Sequence, residues 1–202
     1  METTMRRIDD TLRTLIVVCG PNSVGKTTVA TALGKALDLH VLDVDRVVET
    51  CFGFPPGERN SEEYRAAERR YWGAGYRTLL HAIGGQLSTM QGSIIVTAPF
   101  SSKEHGQQKL MNLARFHDVR LKTVWLSGDI EKLSDAELQA QLDQRRKDDG
   151  GYKGAVESVQ FLRQLHRKFE PIEIPDARKI LAWPMQNREQ TLAEALAYCL
   201  EK

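Results

Sequence analysis

Nine consecutive residues, Gly20, Pro21, Asn22, Ser23, Val24, Gly25, Lys26, Thr27 and Thr28, set two glycines five positions apart and follow them with a lysine and a threonine. The apolar run Leu15 to Cys19 precedes them and reads as a strand, and Thr27 to Leu33 follows and reads as a helix. A strand that turns through such a loop into a helix leaves a ring of unpaired main-chain N–H groups. With the helix N-terminus, those donors cradle a phosphate chain. Gly25 lets the main chain approach the phosphates with no Cβ in the way. Lys26 reaches the outer phosphates as a point charge, and the Thr27 hydroxyl is placed to ligate a magnesium ion. The expected ligand is a nucleoside triphosphate with Mg2+.

The segment His40-Val41-Leu42-Asp43-Val44-Asp45-Arg46 supplies the next chemistry. A short strand ends in one carboxylate and a second follows two residues later. In an open parallel sheet ligands sit beyond the carboxyl ends of the strands, so both carboxylates belong to the rim that holds the phosphates. Asp43 can hold a magnesium-bound water. Asp45 can take the proton of a hydroxyl that attacks the γ-phosphate, or it can cap a helix that begins at Arg46.

Two groups of arginines complete the set. Arg65, Arg69, Trp72 and Tyr76 are spaced four, three and four and so share a helix face, while Leu80, Ile83 and Leu87 form an apolar stripe on the same helix. The four can recognise an acidic or ring-bearing acceptor, or form a half-buried face whose arginines snorkel to water. Arg145 and Arg146 end a polar helix just before the glycine-broken loop Asp149-Gly150-Gly151. They suit a lid that delivers positive charge once substrates are bound, or a basic helix end favoured by the helix dipole. Lys103 and His105 follow the third strand and are expected to face the same rim.

These groups need a scaffold, and apolar runs alternating with helical patterns predict an α/β domain with a parallel sheet. Strands are expected near 14–19, 40–43, 93–98, 121–126 and 179–183. Helices are expected near 26–38, 61–88, 103–116, 134–147, 155–169 and 191–201. Ser101 with Glu104, Ser134 with Glu137 and Thr191 with Glu194 each carry a capping-box pattern. The 202 residues suit one domain spanning 1–202. Lys plus Arg is 28 against 27 for Asp plus Glu, a net charge of +1 that demands no long nucleic acid as partner. No stretch approaches the roughly 20 apolar residues of a membrane span. Residues 1–13 mix three arginines with two aspartates and lack an apolar core, so they are not expected to be a signal peptide. The three cysteines share no metal-ligand spacing and read as reduced thiols of a cytoplasmic protein.

The glycine-rich loop, followed by an aliphatic strand ending at Asp43 and Asp45, resembles the small P-loop kinases over roughly residues 14–200. These include shikimate kinase, gluconate kinase and the chloramphenicol phosphotransferase group, relatives of the nucleoside monophosphate kinases. The resemblance implies a three-layer fold with a five-stranded parallel sheet flanked by helices, and a lid over about 142–158. It further implies an acceptor-binding helical region over about 46–90. It places the acceptor hydroxyl at Asp45, arginines of the lid at Arg145 and Arg146, and ATP with Mg2+ as cofactors. Adenine would lie against Pro184-Met185-Gln186-Asn187-Arg188.

One departure stands out. Many relatives end the third strand with an aspartate, where Ile94-Ile95-Val96-Thr97 ends in a threonine. An apolar run ending in Asp-Glu, as a motor-type or remodelling ATPase would carry, is also absent from the sequence.

Three functions fit. The first is an ATP-dependent kinase acting on a hydroxyl of a small molecule, and the second a nucleotide or polynucleotide kinase. The third is a nucleotide-dependent regulatory binding protein; its GTPase version lacks the Asn-Lys-x-Asp sequence that recognises guanine.

Overall fold

The structure, a computed structural model, describes residues 13–53, 61–89, 92–101, 106–128, 130–148, 158–182 and 187–201. β1 (Thr14–Cys19) turns through the glycine-rich loop into α1 (Lys26–Leu37), and β2 (Val41–Asp43) runs straight into α2 (Val44–Phe52). The long α3 (Glu62–Thr89) leads to β3 (Ile94–Thr97), and α4 (Gln108–Phe116) to β4 (Arg120–Ser127). A short 3-10 turn at Ile130–Lys132, α5 (Asp135–Asp148) and α6 (Val159–Arg167) precede β5 (Arg178–Leu181) and α7 (Arg188–Leu200).

The five strands form one sheet in the order β2-β3-β1-β4-β5. Every pairing is parallel. Parallel strands need both faces covered, and the central strand shows it: all six residues of β1 are buried. Because side chains alternate along a strand, Leu15, Val17 and Cys19 face one layer with Val44, Val48, Leu79, Ile83 and Leu110. Ile16 and Val18 face the other with Val29, Leu33, Ala195 and Tyr198. The sheet is thus the middle of three layers, with α2, α3 and α4 on one face and α1 and α7 on the other. A third cluster, Ile130, Leu138, Leu142, Val159 and Leu162, joins α5 and α6 over the 3-10 turn.

The chain leaves β1 toward β2 on one side of the sheet and leaves β4 toward β5 on the other. Oppositely directed connections open a ligand site beyond the carboxyl ends of the strands between them. On the far side of that site, α2 lies close against α3 at Gly75, where a Cβ would strike the Val48 side chain. That close approach sets where the start of α2 sits.

Several expected boundaries move. α2 begins at Val44, two residues before Arg46, and Asp43 is its cap. Asp45 therefore stands inside the first turn and is not the capping residue. α7 begins at Arg188, capped by Asn187, whose Oδ1 accepts the Gln190 N–H at 2.7 Å. Thr191 lies within that helix and its hydroxyl donates to the Leu181 and Asn187 carbonyls, so the Thr191–Glu194 box does not form. The Ser134–Glu137 box does: the Ser134 N–H donates to Glu137 Oε2 at 2.8 Å, and the Glu137 N–H to Ser134 Oγ at 3.3 Å. Ser158 caps α6 by accepting the Phe161 N–H. Glu104 of the third box, and the starts of the helices expected from 103 and 155, lie outside the described residues. The core stripe of α3 is Leu79, Ile83 and Leu87, with Leu80 only partly buried.

Candidate nucleotide and acceptor site

The glycine-rich loop takes its shape from three residues with positive φ: Gly20 at 147°, Ser23 at 67° and Gly25 at 86°. Gly20 is obligatory for space as well as conformation, since a Cβ there would strike the Leu126 carbonyl of β4. Gly25 is the residue before α1 and brings no side-chain cap, and the first turn of α1 holds no acidic residue. The orphan N–H groups of that turn, with the positive end of the helix dipole, thus face the loop as anion donors. Lys26 folds across the loop and donates from Nζ to the Pro21 carbonyl at 2.9 Å. Its charge is felt below by Cys19, whose thiol burial pushes up to about 12 and Lys26 pulls partly back.

Asp43 links this loop to the second carboxylate. It is 7% exposed, and each of its oxygens has a partner. Oδ1 accepts the Asp45 N–H at 2.8 Å and Oδ2 accepts the Thr27 hydroxyl at 2.9 Å. One side chain thereby ties the first turn of α1 to the first turn of α2. In the sheet register Asp43 lies beside Thr97, which in turn lies beside Val18 of β1. The threonine ending β3 is buried at this rim. A hydroxyl and a carboxylate in contact form a pair of hard oxygen donors. That set fits Mg2+, which keeps several waters and takes few protein ligands beside substrate phosphates. Among the described residues no group of three or more His, Cys, Asp or Glu gathers to hold a metal by itself.

Asp45, two residues on in the first turn of α2, is half-buried. Its charge reaches the hydroxyl of Tyr76 on α3. Burial first, and then Asp45, raise the Tyr76 pKa, against the Phe100 N–H that lowers it, so this hydroxyl stays protonated. Tyr76 Oη accepts that N–H at 3.4 Å, and its ring meets Phe100 edge-on with centroids 5.9 Å apart. Phe100, just beyond β3, is fully buried at a φ of 48°.

The rest of the α3 set divides. Trp72 and Tyr76 pack against the core, whereas Arg65 and Arg69 are exposed. Arg69 lines an open groove with Glu63, Ala66 and Arg70. Arg145 and Arg146 stand in the last turn of α5. Lys103, His105, most of the expected lid and residues 184–186 of the expected adenine loop lie outside the described residues; Asn187 caps α7 and Arg188 opens it.

One site residue carries no local signal. His166 of α6 reaches the glycine-rich loop, with Nε2 2.8 Å from the Asn22 carbonyl. Burial lowers its pKa most; the Asn22 bond raises it, and Lys26 lowers it further.

The family model described as an AAA domain matches residues 15–172. No curated protein sequence matches the chain. Solved structures do. A candidate kinase from Chloroflexus aurantiacus J-10-fl has a TM-score of 0.66 at 19% identity, over 94% of this chain and 100% of that one. A gluconokinase from Sinorhizobium meliloti 1021 has a TM-score of 0.59 at 19% identity, over 96% and 93%. The APS kinase of Mycobacterium tuberculosis, in complex with AMPPNP and APS, has a TM-score of 0.57 at 16% identity, over 94% and 99%. With five parallel strands and a glycine-rich loop after the first, the chain has the fold of the small P-loop kinases, and it belongs to the AAA domain family whose model spans residues 15–172.

Proposed function

We propose that the protein is an ATP-dependent phosphotransferase, one kinase domain over residues 1–202 that moves the γ-phosphate to a hydroxyl of a small-molecule acceptor. The observation that carries this reading is the Thr27–Asp43–Asp45 linkage. It sets the phosphate-binding helix start and a second, half-buried carboxylate side by side on one rim. A kinase needs that pairing, because donor and acceptor must meet in line.

The residues take these roles. The amides from Gly20 to Thr28 hold the triphosphate, and Lys26 exchanges the Pro21 carbonyl for phosphate oxygens. Thr27 and Asp43 would hold Mg2+, which would supply positive charge to neutralise the charge that develops on the phosphates. Asp45 accepts a hydrogen bond from the acceptor hydroxyl and orients its oxygen toward phosphorus. An ordinary carboxylate pKa is about 4, far below that of an alcohol, so the proton moves to Asp45 late, as the oxygen–phosphorus bond forms. Tyr76, as a protonated hydroxyl beside Asp45, supports the acceptor, with Trp72 behind it. Arg65 and Arg69 approach from solvent over the acceptor region at about 46–90. Arg145 and Arg146 belong to a lid over about 142–158 and stabilise charge on the transferring group.

The neighbours named as gluconokinase and APS kinase support a small acceptor and ATP as donor. No described helix is long and apolar enough to cross a membrane; a cytoplasmic location belongs to the proposal. The test is ATP turnover measured against a panel of hydroxylated metabolites. One chemical class should stimulate ADP release and yield a phosphorylated product. Slow hydrolysis untouched by every member of the panel would instead mark a regulatory nucleotide-binding protein.

A further inference from the structure

We infer that His166 is a positioning residue of the phosphate loop, donating its Nε2–H to the Asn22 carbonyl and so fixing the Asn22–Ser23 peptide. The inference rests on the loop being the phosphate site proposed above. A carbonyl offers only acceptor capacity, so the 2.8 Å contact requires the proton on Nε2. A trans peptide points its C=O and the following N–H in opposite directions. Holding the Asn22 carbonyl against α6 therefore turns the Ser23 N–H away from α6 and into the loop. The adjacent residue shows that something must hold this peptide. Ser23 has a φ of 67°, in the left-handed region that strains a residue with a side chain.

The clamp is only as firm as the helix that carries it, and α6 is well anchored. Arg163, one turn before His166, donates to the Ile130 and Leu133 carbonyls, each at 2.7 Å, and to Asp135 at 2.8 Å. Arg167 adds Glu131 at 2.9 Å. Val159 and Leu162, which precede His166 at helical spacing on the same side of α6, are buried in the α5–α6 cluster. His166 is thus presented to the loop by a helix fastened at the 3-10 turn and the start of α5. The partner it holds lies 144 residues away in sequence.

The experiment compares His166→Phe, which keeps the ring and loses the donor, with His166→Gln, whose side-chain amide restores an N–H at similar reach. Amide hydrogen exchange is followed in the protein without nucleotide, and ATP affinity is measured by calorimetry. In His166→Phe, exchange in peptides spanning residues 20–28 should rise while β4 and α7 stay protected. ATP should bind roughly three- to tenfold more weakly, the worth of one hydrogen bond. His166→Gln should recover both. Equal exchange of residues 20–28 in the wild type and His166→Phe overturns the inference, as does a rise shared by β4 and α7 that His166→Gln does not reverse. A wild-type protein that binds no ATP would overturn the proposed function, while the exchange data would still decide the clamp.

Discussion

Asp43 and Asp45 are two residues apart and have different surroundings because of where the helix starts. The carboxylate at the cap ties two helices together: one oxygen holds an α2 amide and the other holds Thr27, its partner in the proposed magnesium site. The carboxylate in the first turn stands half-buried, beside a tyrosine that remains protonated. Asp45→Asn keeps the size and the helix while removing the proton acceptor. Turnover should fall about 10²- to 10⁴-fold, the range for a positioned acid or base. ATP affinity should stay within about twofold, since that side chain touches no phosphate in this reading. Steady-state kinetics and calorimetry on the same preparation check it; near-normal turnover would remove Asp45 from catalysis. Asp43 has no such separation of effects. Its loss releases a helix cap worth about 1 kcal/mol along with the Thr27 contact, so it is the poorer test.

Elements decide where those residues sit, and the α2–α3 crossing is the sharpest case. Gly75→Ala places a methyl against Val48. Alanine gains about 1 kcal/mol of helix propensity over glycine, while overpacking a filled contact costs about 1–3 kcal/mol. The second term wins, so thermal melting should show a net loss of up to about 2 kcal/mol. Turnover should fall as well, because α2 carries Asp45. A more stable Gly75→Ala protein would mean that the two helices separate freely. The end of α5 gives a second test at this scale: Arg145→Ala or Arg146→Ala should lower turnover more than ATP affinity, by up to about 10³-fold if one stabilises the transferring phosphoryl. Unchanged turnover in both would remove them from the site. These elements also mark what a linear reading can find. β1, its loop and α1 are legible because a local pattern specifies strand, turn and helix within about two dozen residues. The start of α2 is not, because Asp43 and Asp45 are both good caps and only the contact with Thr27 selects the first. Thr191 has the pattern of a capping box, yet Asn187 takes the cap and the Leu181 carbonyl takes the threonine hydroxyl. His166 is invisible for a third reason, since its partner is distant in sequence and nothing near it signals a ligand.

Across the whole molecule the site depends on a sheet that stays closed beneath it, and the thiols report on that closure. Cys19 ends β1 directly under the loop and Cys199 lies in α7, both buried, while Cys51 in α2 is exposed. Burial pushes the Cys19 and Cys199 thiols from 9.0 up to about 12, against the partial opposition of Lys26 and Lys122. A group whose folded pKa is raised stabilises the fold fully below its unfolded pKa and loses that contribution as pH climbs through the folded value. Burial also raises Tyr76 and Tyr198, which adds to the loss above pH 10.0. Lys122, lowered chiefly by burial, acts in the opposite sense but is one group against four. Because burial lowers His166, stability should first rise with pH up to 6.5; urea unfolding should then give a plateau at about pH 7–8 and a fall between about 9 and 12. At pH 8, where folding protects both buried thiols, iodoacetamide should modify only Cys51 of the three cysteines, and all three in urea. Any slow labelling of Cys19 measures opening of β1 at the loop, and ATP with magnesium should slow it by the factor 1 + [ATP]/Kd, since binding raises the opening free energy by RT ln(1 + [ATP]/Kd). Peptide mapping after timed alkylation reads this directly. Labelling of Cys19 at the same rate with and without saturating nucleotide would mean that ligand binding does not stabilise the strand on which the cradle is built.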